Sequence, residues 1–595
     1  MKTPLNIRLT TTYIKPENNV PLFSIKTIAI SFLEIPGHTL QTRHPIIEMR
    51  IFGIVKSILP FLMLLIFTAS PVHSHTDTDD VPPKFILIHL DSVSSKNLHA
   101  EIEAGNLPNI KETFYPGGII PYVITYFPSK TPVVISSLRD GISPDESRLV
   151  GWAGVDSETG KTFSGFSSFS QMLLSKSRLA VTNILYGIPV IDRFAGLALA
   201  NLPEALEKYR VLEFYWYAVD TYGHFYGEEP HLKKLRVFDK HLGRLIQRLD
   251  DDVNIVIYAD HGMVFGEGVD IDNDIREIAG DRVKISSYPN LYINKKEEAS
   301  ETARMVVEET GIDFAFYKTS DQSAEGIHRE GTMQFFYSEN GIRYTYEESD
   351  PLGYYEAGYN GEVLSFQEWL ELTHQLKYPV TPVKIFNFFT NPRSGDIITL
   401  MEPDKFAQSK YSRSGNHGGF TYQDLTIPIL STGPDVDVLQ GRQTMWLRDL
   451  FHDIEGIDFG YKPSRDDHYL EWWMNLDDRQ NYSRVSLSPW YRWRIGADLS
   501  YVADPLSVDH YQLWGKFDLF RSYLTRLWIG GGADFKNGET RPMGFVRHEF
   551  RIRKFQARST LSTAGNHSFS LEFNVLPPVY LQVVNFNSLG LRLHF

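Results

Sequence analysis

One stretch of this chain, Val211–Gly262, constrains the fold more than any other because it joins two apolar runs through a helical segment. The first run, VLEFYWYAV, ends on Asp220, and His224 follows four residues later. The second run, NIVIYA, ends on Asp260 and His261. Between the runs, apolar residues recur at steps of three and four, the period of an amphipathic helix: Leu235, Phe238, Leu242, Leu245 and Leu249. The pattern predicts a strand–helix–strand unit that brings an Asp and a His to the carboxyl end of each strand.

These residue types favour a metal site. Ligands of open parallel sheets bind outside the carboxyl ends of the strands, and Asp and His suit zinc and similar divalent ions. The chain contains no cysteine, which excludes disulfides, thiolate ligands and a cysteine nucleophile. The formal net charge is −14, so there is no basic footprint and we expect no nucleic-acid binding.

The beginning of the chain has the pattern of an exported protein. Residues 1–48 show no persistent periodicity, whereas from Met49 a basic start precedes the apolar run ILPFLMLLIFTA and the small residues of PVHSHT. This order is typical of a secretory signal peptide. The alternative is a membrane anchor, but the run is shorter than the roughly 20 residues that span a bilayer. We predict a signal peptide over residues 49–74, cleaved after Ser74, with residues 1–48 outside the mature protein.

Three further positions are candidates for chemistry. Asp91 follows the apolar run KFILIHL, Thr131 precedes Pro132 and an apolar helical start, and His417 lies in the glycine-rich GNHGG. Thr131 has the sequence context of a helix N-cap, and free N–H groups at a helix start attract phosphate. Threonine can equally act only as a cap, and a loop histidine can be an ordinary surface residue.

Taken in order, these segments resemble the alkaline phosphatase superfamily, and most closely its type I phosphodiesterase/nucleotide pyrophosphatase branch. The strings that carry the resemblance are KFILIHLD, AGNLPNI, FPSKTP, DTYGHFYG, YADHGM and GNHGG, spread over roughly residues 83–435. The resemblance implies an α/β domain over residues 83–460, with a mostly parallel sheet and helices on both faces. Residues 263–410, with their own strand and helix patterns, would form an α/β cap insertion.

The resemblance also implies the content of the site. Two divalent metal ions, zinc in the first place and manganese or another ion as alternatives, would be bound by Asp and His. The implied ligand sets are Asp220, His224 and His417 for one ion and Asp91, Asp260 and His261 for the other. Thr131 matches the family's nucleophile, whose oxygen lies on the second ion. Paired cations stabilise the attacking and leaving oxygens of an in-line displacement. The implied substrate is a phosphodiester of a nucleotide, lipid headgroup or glycan.

Two positions depart from the family pattern. Ser92 follows Asp91 where the family commonly has glycine, and Pro132–Val134 replaces a PNH-like string. The Asn of that string normally contacts a phosphate oxygen, and Ser129, Lys130 or a backbone N–H could take its place.

Three other functions must be compared with that of a phosphodiesterase. Sulfatases need a matured Cys or Ser in C/S-x-P-x-R, which is missing. A phosphoryl-headgroup transferase acting on envelope lipid or glycan would also use a threonine, although the several membrane spans usual for that class are absent. A binding or scaffold protein that has lost turnover is the rival from another class, and the missing Asn is its support.

The last part of the chain changes to period-two alternation. In WYRWRIGADLSY and in the closing SLGLRLHF, apolar residues alternate with polar ones, which predicts antiparallel strands. A soluble β-sandwich is the plain interpretation. The density of aromatic residues and the terminal Phe595 instead resemble a bacterial outer-membrane barrel. We predict an all-β antiparallel barrel of about eight strands over residues 485–595. It would contact outer-membrane lipid and hold the catalytic domain in the periplasm.

Overall fold

The computed structural model describes residues 83–594 with short gaps. The positions outside the description in that range are 116, 139–140, 166, 169–192, 207–209, 455–456, 458–467, 478–479, 488–492, 504–505, 522–524, 553, 564, 566 and 577–578. The predicted signal peptide and Phe595 also lie outside the described residues. All the described residues belong to one compact unit, Asp77–Phe595. Among the described helices, none combines the length and apolar character needed to cross a membrane.

Helices and strands alternate through the first part of the chain. From residue 83 to 262 the elements are β1 (Lys84–Leu90), α1 (Ser95–Glu103), α2 (Pro108–Phe114), β2 (Ile119–Ile124), α3 (Thr131–Ser137), α4 (Pro144–Ser147), β3 (Gly154–Val155), β4 (Thr162–Phe163), α5 (Arg193–Leu199), α6 (Leu202–Leu206), β5 (Val211–Trp216), α7 (Ala218–Tyr226), α8 (Glu228–Ile246) and β6 (Val253–Tyr258). From residue 263 to 454 they are β7 (Glu267–Val269), α9 (Ile271–Ala279), β8 (Val283–Ser287), β9 (Asn290–Ile293), α10 (Ala299–Glu309), β10 (Phe314–Ser320), β11 (Ser323–His328), β12 (Gly331–Ser338), β13 (Gly341–Glu347), α11 (Phe366–Thr373), α12 (Thr381–Phe389), β14 (Ile397–Leu400), β15 (Lys405–Ala407), α13 (Tyr422–Leu425), β16 (Thr426–Thr432), β17 (Thr444–Trp446) and α14 (Leu450–Asp453).

The main sheet has six strands in the order β17-β2-β16-β6-β1-β5. Strand β1 pairs in parallel with both β5 and β6. The predicted α/β sheet is confirmed, but it is mixed, because β16 returns antiparallel between β2 and β6. All residues of β6 and all but the first of β1 are buried, as expected for strands covered on both faces. The predicted strand–helix–strand unit is β5–α7–α8–β6, with β1 between its two strands.

The insertion after β6 is α/β, as predicted, and is organised around a second sheet. Its seven strands, in the order β13-β12-β11-β10-β14-β9-β8, pair antiparallel throughout. Ile275 of α9 and Val307 of α10 belong to the core on one side of this sheet. Trp369 and Ile385 belong to a separate core that also includes Ile124 of the main sheet. The insertion therefore has one core of its own and shares a second core with the main sheet.

The C-terminal region is a closed antiparallel barrel. Its strands are β18 (Tyr469–Asn475), β19 (Asn481–Leu487), β20 (Trp493–Ala503), β21 (Leu506–Arg521), β22 (Thr525–Lys536), β23 (Glu539–Ile552), β24 (Phe555–Ser562), β25 (Ser568–Leu576), β26 (Val579–Val584) and β27 (Ser588–His594). Pairing of β18 with β27 closes the ring.

The barrel has ten strands, so the prediction of about eight was wrong. The eight strands from β20 onward match the alternating segments, and the two additional strands, β18 and β19, precede them. In β18, YLEWWMN, two tryptophans are adjacent and Tyr469 and Glu471 are both buried. Aromatic residues therefore occupy both faces of this strand, which hides the period-two pattern.

Candidate metal and catalytic site

Two carboxylates enter the site from adjacent parallel strands. Asp91 directly follows β1 and Asp260 follows β6 by two residues, and both are fully buried. Ser92 has a φ of 66°, the left-handed conformation that favours glycine. The Ser92 amide donates to Asp260 Oδ1 at 3.3 Å and its hydroxyl donates to the Gly262 carbonyl at 3.2 Å. The departure from glycine thus preserves the backbone turn and adds a bond to the other strand.

Asp220 and His224 come from a helix rather than from a strand end. Strand β5 ends at Trp216, and both residues lie in α7, four positions apart. Residues at this spacing share one helix face, and His224 Nε2 lies 3.3 Å from Asp220 Oδ1. The predicted position at the end of a strand was therefore wrong, although the helix begins at the carboxyl end of β5 and brings both side chains to the same edge of the sheet.

Thr131 is the first residue of α3 and does not cap it. The N-cap position belongs to Lys130, so the expected capping role is wrong. Because the cap does not use the Thr131 hydroxyl, this group is free to face the site. Its Oγ1 lies 3.2 Å from Nε2 of His261. The residue is half-buried, which leaves the hydroxyl accessible beside a buried cluster.

His417 is fixed by the segment that precedes Thr131. Its Nδ1 lies 2.7 Å from the Ser129 carbonyl. The Ser129 hydroxyl accepts from the Gly418 amide at 3.0 Å and donates to the Gly419 carbonyl at 3.1 Å. Gly418 has a φ of 107°, which a side chain would strain. The glycine-rich loop is therefore held against the nucleophile segment.

The three imidazoles share one orientation. Nδ1 of each ring faces a backbone carbonyl, namely Gly415 for His224, Gly262 for His261 and Ser129 for His417, at 2.9, 2.9 and 2.7 Å. A carbonyl only accepts, so each Nδ1 carries a hydrogen and each Nε2 points into the site. Fixing a ring in this way is the usual arrangement behind a metal-binding histidine. Nε2 of His417 lies 3.2 Å from Nε2 of His224, which requires a proton or a cation between them.

Each of the three carboxylates has one oxygen that accepts no hydrogen bond. Asp91 Oδ1, Asp220 Oδ1 and Asp260 Oδ2 are buried without a hydrogen bond. Burial and the nearby Asp260 and Asp220 raise the pKa of Asp91 well above its usual value. Burial alone would raise the pKa of Asp220, but His224 and His417 hold it at about 2. Burial and the neighbouring His261 and His224 lower the pKa of His417 well below its usual value. Carboxylate oxygens without hydrogen bonds and imidazole nitrogens that converge in this way fit divalent cations.

All seven predicted site residues meet in one cluster. His417 Nε2 lies 3.6 Å from Asp220 Oδ1, and His261 Nε2 lies 3.5 Å from Asp91 Oδ1 and 3.2 Å from Asp260 Oδ2. The His261 and His417 rings stack with centroids 3.6 Å apart. Among the described residues, ligand atoms within 4.8 Å of one another form two groups, Asp220–His261–His417 and His89–Asp91–Asp260. These groups differ from the predicted ligand sets, which placed His261 with Asp91 and Asp260. The reason is that His261, which stacks on His417, lies between the two halves of the cluster.

Sequence reasoning missed two residues at the base of this cluster, His89 and Tyr215. They are register partners on β1 and β5, and the Tyr215 hydroxyl donates to Asp91 Oδ2. His89 is packed between the rings of Tyr215 and Tyr258, at centroid distances of 4.5 and 5.3 Å. Its Nε2 lies 3.2 Å from Asp260 Oδ1, outside the angular range of a hydrogen bond. Strand alternation alone indicates that His89 shares a face with Asp91.

The position of the missing Asn is closed to substrate. Val133 is fully buried in the core of the main sheet. Ser129 is occupied by the glycine loop, which leaves Lys130 as the side chain next to the nucleophile. Lys130 Nζ donates to the Tyr288 carbonyl, and its stem lies so close to Gly418 that a Cβ there would be 2.6 Å from Lys130 Cε. Burial lowers the pKa of Lys130 to about 8.

Comparisons with a family model and with solved structures give matches for the α/β part of the chain. The family model described as "Type I phosphodiesterase / nucleotide pyrophosphatase" matches residues 176–420. No curated protein matches the sequence. Among solved structures, murine ectonucleotide pyrophosphatase / phosphodiesterase 5 has 15% identity, covers 64% of this chain and 97% of its own, and has a TM-score of 0.41. The human protein has 16% identity, the same coverage and a TM-score of 0.40. The chain is therefore similar to type I phosphodiesterases / nucleotide pyrophosphatases over a stretch that includes five of the predicted site residues, namely Asp220, His224, Asp260, His261 and His417.

Proposed function

We propose that this protein hydrolyses phosphodiesters through Thr131 as nucleophile, with two divalent ions held by the Asp/His cluster. The observation that carries the proposal is the convergence of three Nε2 atoms and three orphaned carboxylate oxygens beside the Thr131 hydroxyl. The ligand sets we favour are Asp220, His224 and His417 for one ion and Asp91, Asp260 and His261 for the other. His261 Nε2 is close enough to Asp91, Asp260 and the Thr131 hydroxyl to serve the second set.

Zinc is the ion that best suits this mixture of imidazole nitrogen and carboxylate oxygen, and manganese remains the alternative. Bound ions would lower the pKa of the threonine hydroxyl and neutralise charge on the phosphoryl oxygens. Three carboxylate oxygens support this assignment because they accept no hydrogen bond, namely Asp91 Oδ1, Asp220 Oδ1 and Asp260 Oδ2.

The proposed hydrolysis has two steps, and particular residues of the chain act in them. Thr131 Oγ1 attacks phosphorus, the ester oxygen of one substituent leaves, and a phosphothreonine ester remains. Water then attacks that ester, which releases a phosphomonoester and restores the hydroxyl. Nδ1 of His261 is committed to the Gly262 carbonyl, so its Nε2 lone pair faces the cluster and would be used by the ion when one is bound. The proton of the Thr131 hydroxyl is then released to solvent, and the departing ester oxygen takes a proton from solvent. Lys130 supplies positive charge next to the nucleophile in place of the absent Asn.

Hydrolysis of bis(4-nitrophenyl) phosphate tests the nucleophile. We expect Thr131→Ala to abolish turnover and Thr131→Ser to retain part of it, since a serine hydroxyl can occupy the same position. Thr390→Ala, at an exposed position in the cap, is the matched control and should be active. Metal content should be retained in Thr131→Ala. Full activity of that variant in metal-loaded protein would exclude the threonine mechanism.

Two rivals predict different outcomes of the same assay. A headgroup transferase would need an acceptor, so adding phospholipid or glycan acceptor should accelerate product formation and yield a transferred product. A hydrolase is indifferent to acceptor. A binding or scaffold protein would bind metal but turn over no phosphodiester in a screen of nucleotide, lipid and glycan substrates.

We further propose that the barrel anchors the enzyme in an outer membrane, with the α/β domain on the periplasmic side. The supporting observation is the reversed polarity of the barrel. Charged side chains such as Arg494, Glu572 and Arg592 are buried inside it. Large apolar residues are exposed on its outside, namely Ile495, Leu513, Ile529, Val546, Leu561, Leu571, Leu581 and Leu589. This is the pattern of a barrel that faces lipid.

Fractionation and gel migration test the anchor. The full-length protein should be recovered with outer membranes and should migrate differently before and after heating. Leu571→Arg, on the exposed outer face, should lower barrel stability in lipid by about 2–4 kcal/mol if the position is near the midplane. A full-length protein that stays soluble without detergent would contradict the anchor but not the hydrolase.

A further inference from the structure

The inside of the barrel contains a network of ion pairs in which most arginines are matched. Arg558 Nη2 lies 2.5 Å from Glu572 Oε1, and Arg592 Nη1 lies 2.7 Å from Glu572 Oε2. Arg484 contacts Asp498 at 2.6 Å and Glu471 at 3.2 Å. Such pairing is what allows charges to be buried at all.

Lys516 and Arg547 differ from this pattern. Both are buried, at 1% and 2% exposure, yet among the described residues neither has a carboxylate within ion-pair distance. Their only shared polar partner is a neutral one, since Lys516 Nζ and Arg547 Nη1 lie 3.4 and 3.3 Å from the hydroxyl of Tyr469. Burying two cationic side chains around one phenol oxygen is costly. Within the described part of the barrel, neither side chain has a carboxylate in direct contact.

A cavity of about 450 Å³ lies against this unmatched charge, with Arg547 among its lining residues. The wall is polar and aromatic, including Trp473 and Gln512, and Lys536 stands at its rim. The carboxylate of Asp498 also lines the cavity, where it is paired with Arg484. This volume is in the range of sites for small molecules. A ten-stranded barrel encloses a wider lumen than the eight-stranded one predicted from sequence, whose side chains would just fill it.

The cavity opens at a defined end of the barrel. Its lining includes Asn475, Asn585 and Gly565, which lie at or beside the turns β18–β19, β26–β27 and β24–β25. Tyr469 pairs with His594 at the other end, so the chain enters and leaves the barrel there. The mouth of the cavity is therefore at the end opposite to the connection with the α/β domain.

We propose that this cavity binds a phosphate group, with Arg547 at its floor and Lys536 at its rim. A guanidinium matches two oxygens of a phosphate at once, and a bound oxyanion would give Arg547 a direct ion-pair partner close to Lys516. The phosphate could belong to a free ion or to a lipid headgroup. The site is distinct from the catalytic cluster and does not depend on the hydrolase proposal.

Calorimetric titration of the full-length protein in detergent tests the site, with inorganic phosphate and with dihexanoyl phosphatidic acid as probes. Metal is first removed with a chelator so that binding at the Asp/His cluster is suppressed, and Thr131→Ala should leave binding unchanged. We expect Arg547→Gln to weaken binding at least tenfold and Lys536→Gln severalfold. Arg541→Gln, which removes an exposed arginine of the same strand outside the cavity lining, is the matched control and should bind like the wild type.

The outcomes separate the two sources of phosphate. Binding of the free ion indicates a soluble ligand, and binding of the short lipid alone indicates a headgroup. Absence of binding of either probe to the wild type would overturn the proposal, as would equal affinity in folded Arg547→Gln. If Arg547→Gln does not fold, the exposed Lys536→Gln decides, and an unchanged affinity there overturns the site.

Discussion

The hydroxyl of Tyr215 donates a hydrogen bond to Oδ2 of Asp91 from the adjacent parallel strand, and both residues are fully buried. This bond fixes one oxygen of the carboxylate and leaves Oδ1 without a protein partner, directed toward His261 Nε2 at 3.5 Å. Tyr215 therefore positions a predicted metal ligand without contacting substrate.

Removal of this hydroxyl should weaken metal binding. In Tyr215→Phe the carboxylate of Asp91 can rotate, and we expect metal affinity to fall about 10–100-fold, the usual cost of losing an outer partner of a ligand. Competition with a chromophoric chelator measures the change. Tyr317→Phe removes a hydroxyl in the cap that bonds Glu325 and should bind metal normally. Wild-type affinity in Tyr215→Phe would contradict the positioning role.

His89 should act on the other carboxylate. His89→Phe keeps a ring between Tyr215 and Tyr258 but removes the nitrogen that lies 3.2 Å from Asp260 Oδ1. We expect at least a tenfold loss of affinity for one ion, within the range seen for such residues, with the fold retained. Metal content by mass spectrometry and circular dichroism report the two properties separately. The matched control is His328→Phe in the cap, where the ring packs on Phe314 and metal content should not change.

Lys130 should contribute to the reaction rather than to metal binding. Lys130→Met preserves the apolar stem and removes the charge next to Thr131. We expect kcat/KM for bis(4-nitrophenyl) phosphate to fall about 100-fold, the typical effect of losing one electrostatic contact to the reacting group. Metal content should be unchanged. Lys410→Met, on an exposed loop, should have wild-type kinetics, and wild-type kinetics in Lys130→Met itself would show that another group replaces the Asn.

His231 should make the domain sensitive to acid. Burial lowers its pKa from 6.5 to about 4, and its Nδ1 donates to the Val219 carbonyl at 3.1 Å. In the unfolded chain His231 takes up a proton as the pH falls through about 6.5, whereas in the folded chain it does so only near pH 4. The free energy of unfolding is therefore highest above pH 6.5 and decreases as the pH falls toward 4. Between about pH 6.5 and pH 5 this residue should account for a loss of about 2 kcal/mol.

Denaturant unfolding at the two pH values checks this prediction. His231→Leu should show a smaller decrease in unfolding free energy than the wild type over the same interval. His452→Leu, at an exposed position, should keep the wild-type slope. An identical slope in His231→Leu and the wild type would exclude the buried histidine as the source.

Much of the site could be predicted because its residues lie at recognisable local positions. Asp91 and Asp260 follow apolar runs whose burial on both faces requires a covered sheet, and the order of the short strings indicated the family. The predicted N-cap role of Thr131 failed because Lys130 is the N-cap and Thr131 is the first helical residue, a shift of one residue that local pattern does not resolve. Strand β18 was missed because Tyr469 and Trp473 place aromatic rings on its polar side.

The sequence by itself determined the residue types, the two kinds of domain and the alternation that makes the barrel interior polar, since these depend on periods of two and 3.6 along the chain. Only the tertiary structure decided which atoms meet. It inserted β1 between β5 and β6, bringing His89 and Tyr215 beneath the carboxylates. It also left Arg547 and Lys516 around one neutral hydroxyl inside the barrel. These contacts join residues distant in sequence, and no local period encodes the pairing of strands.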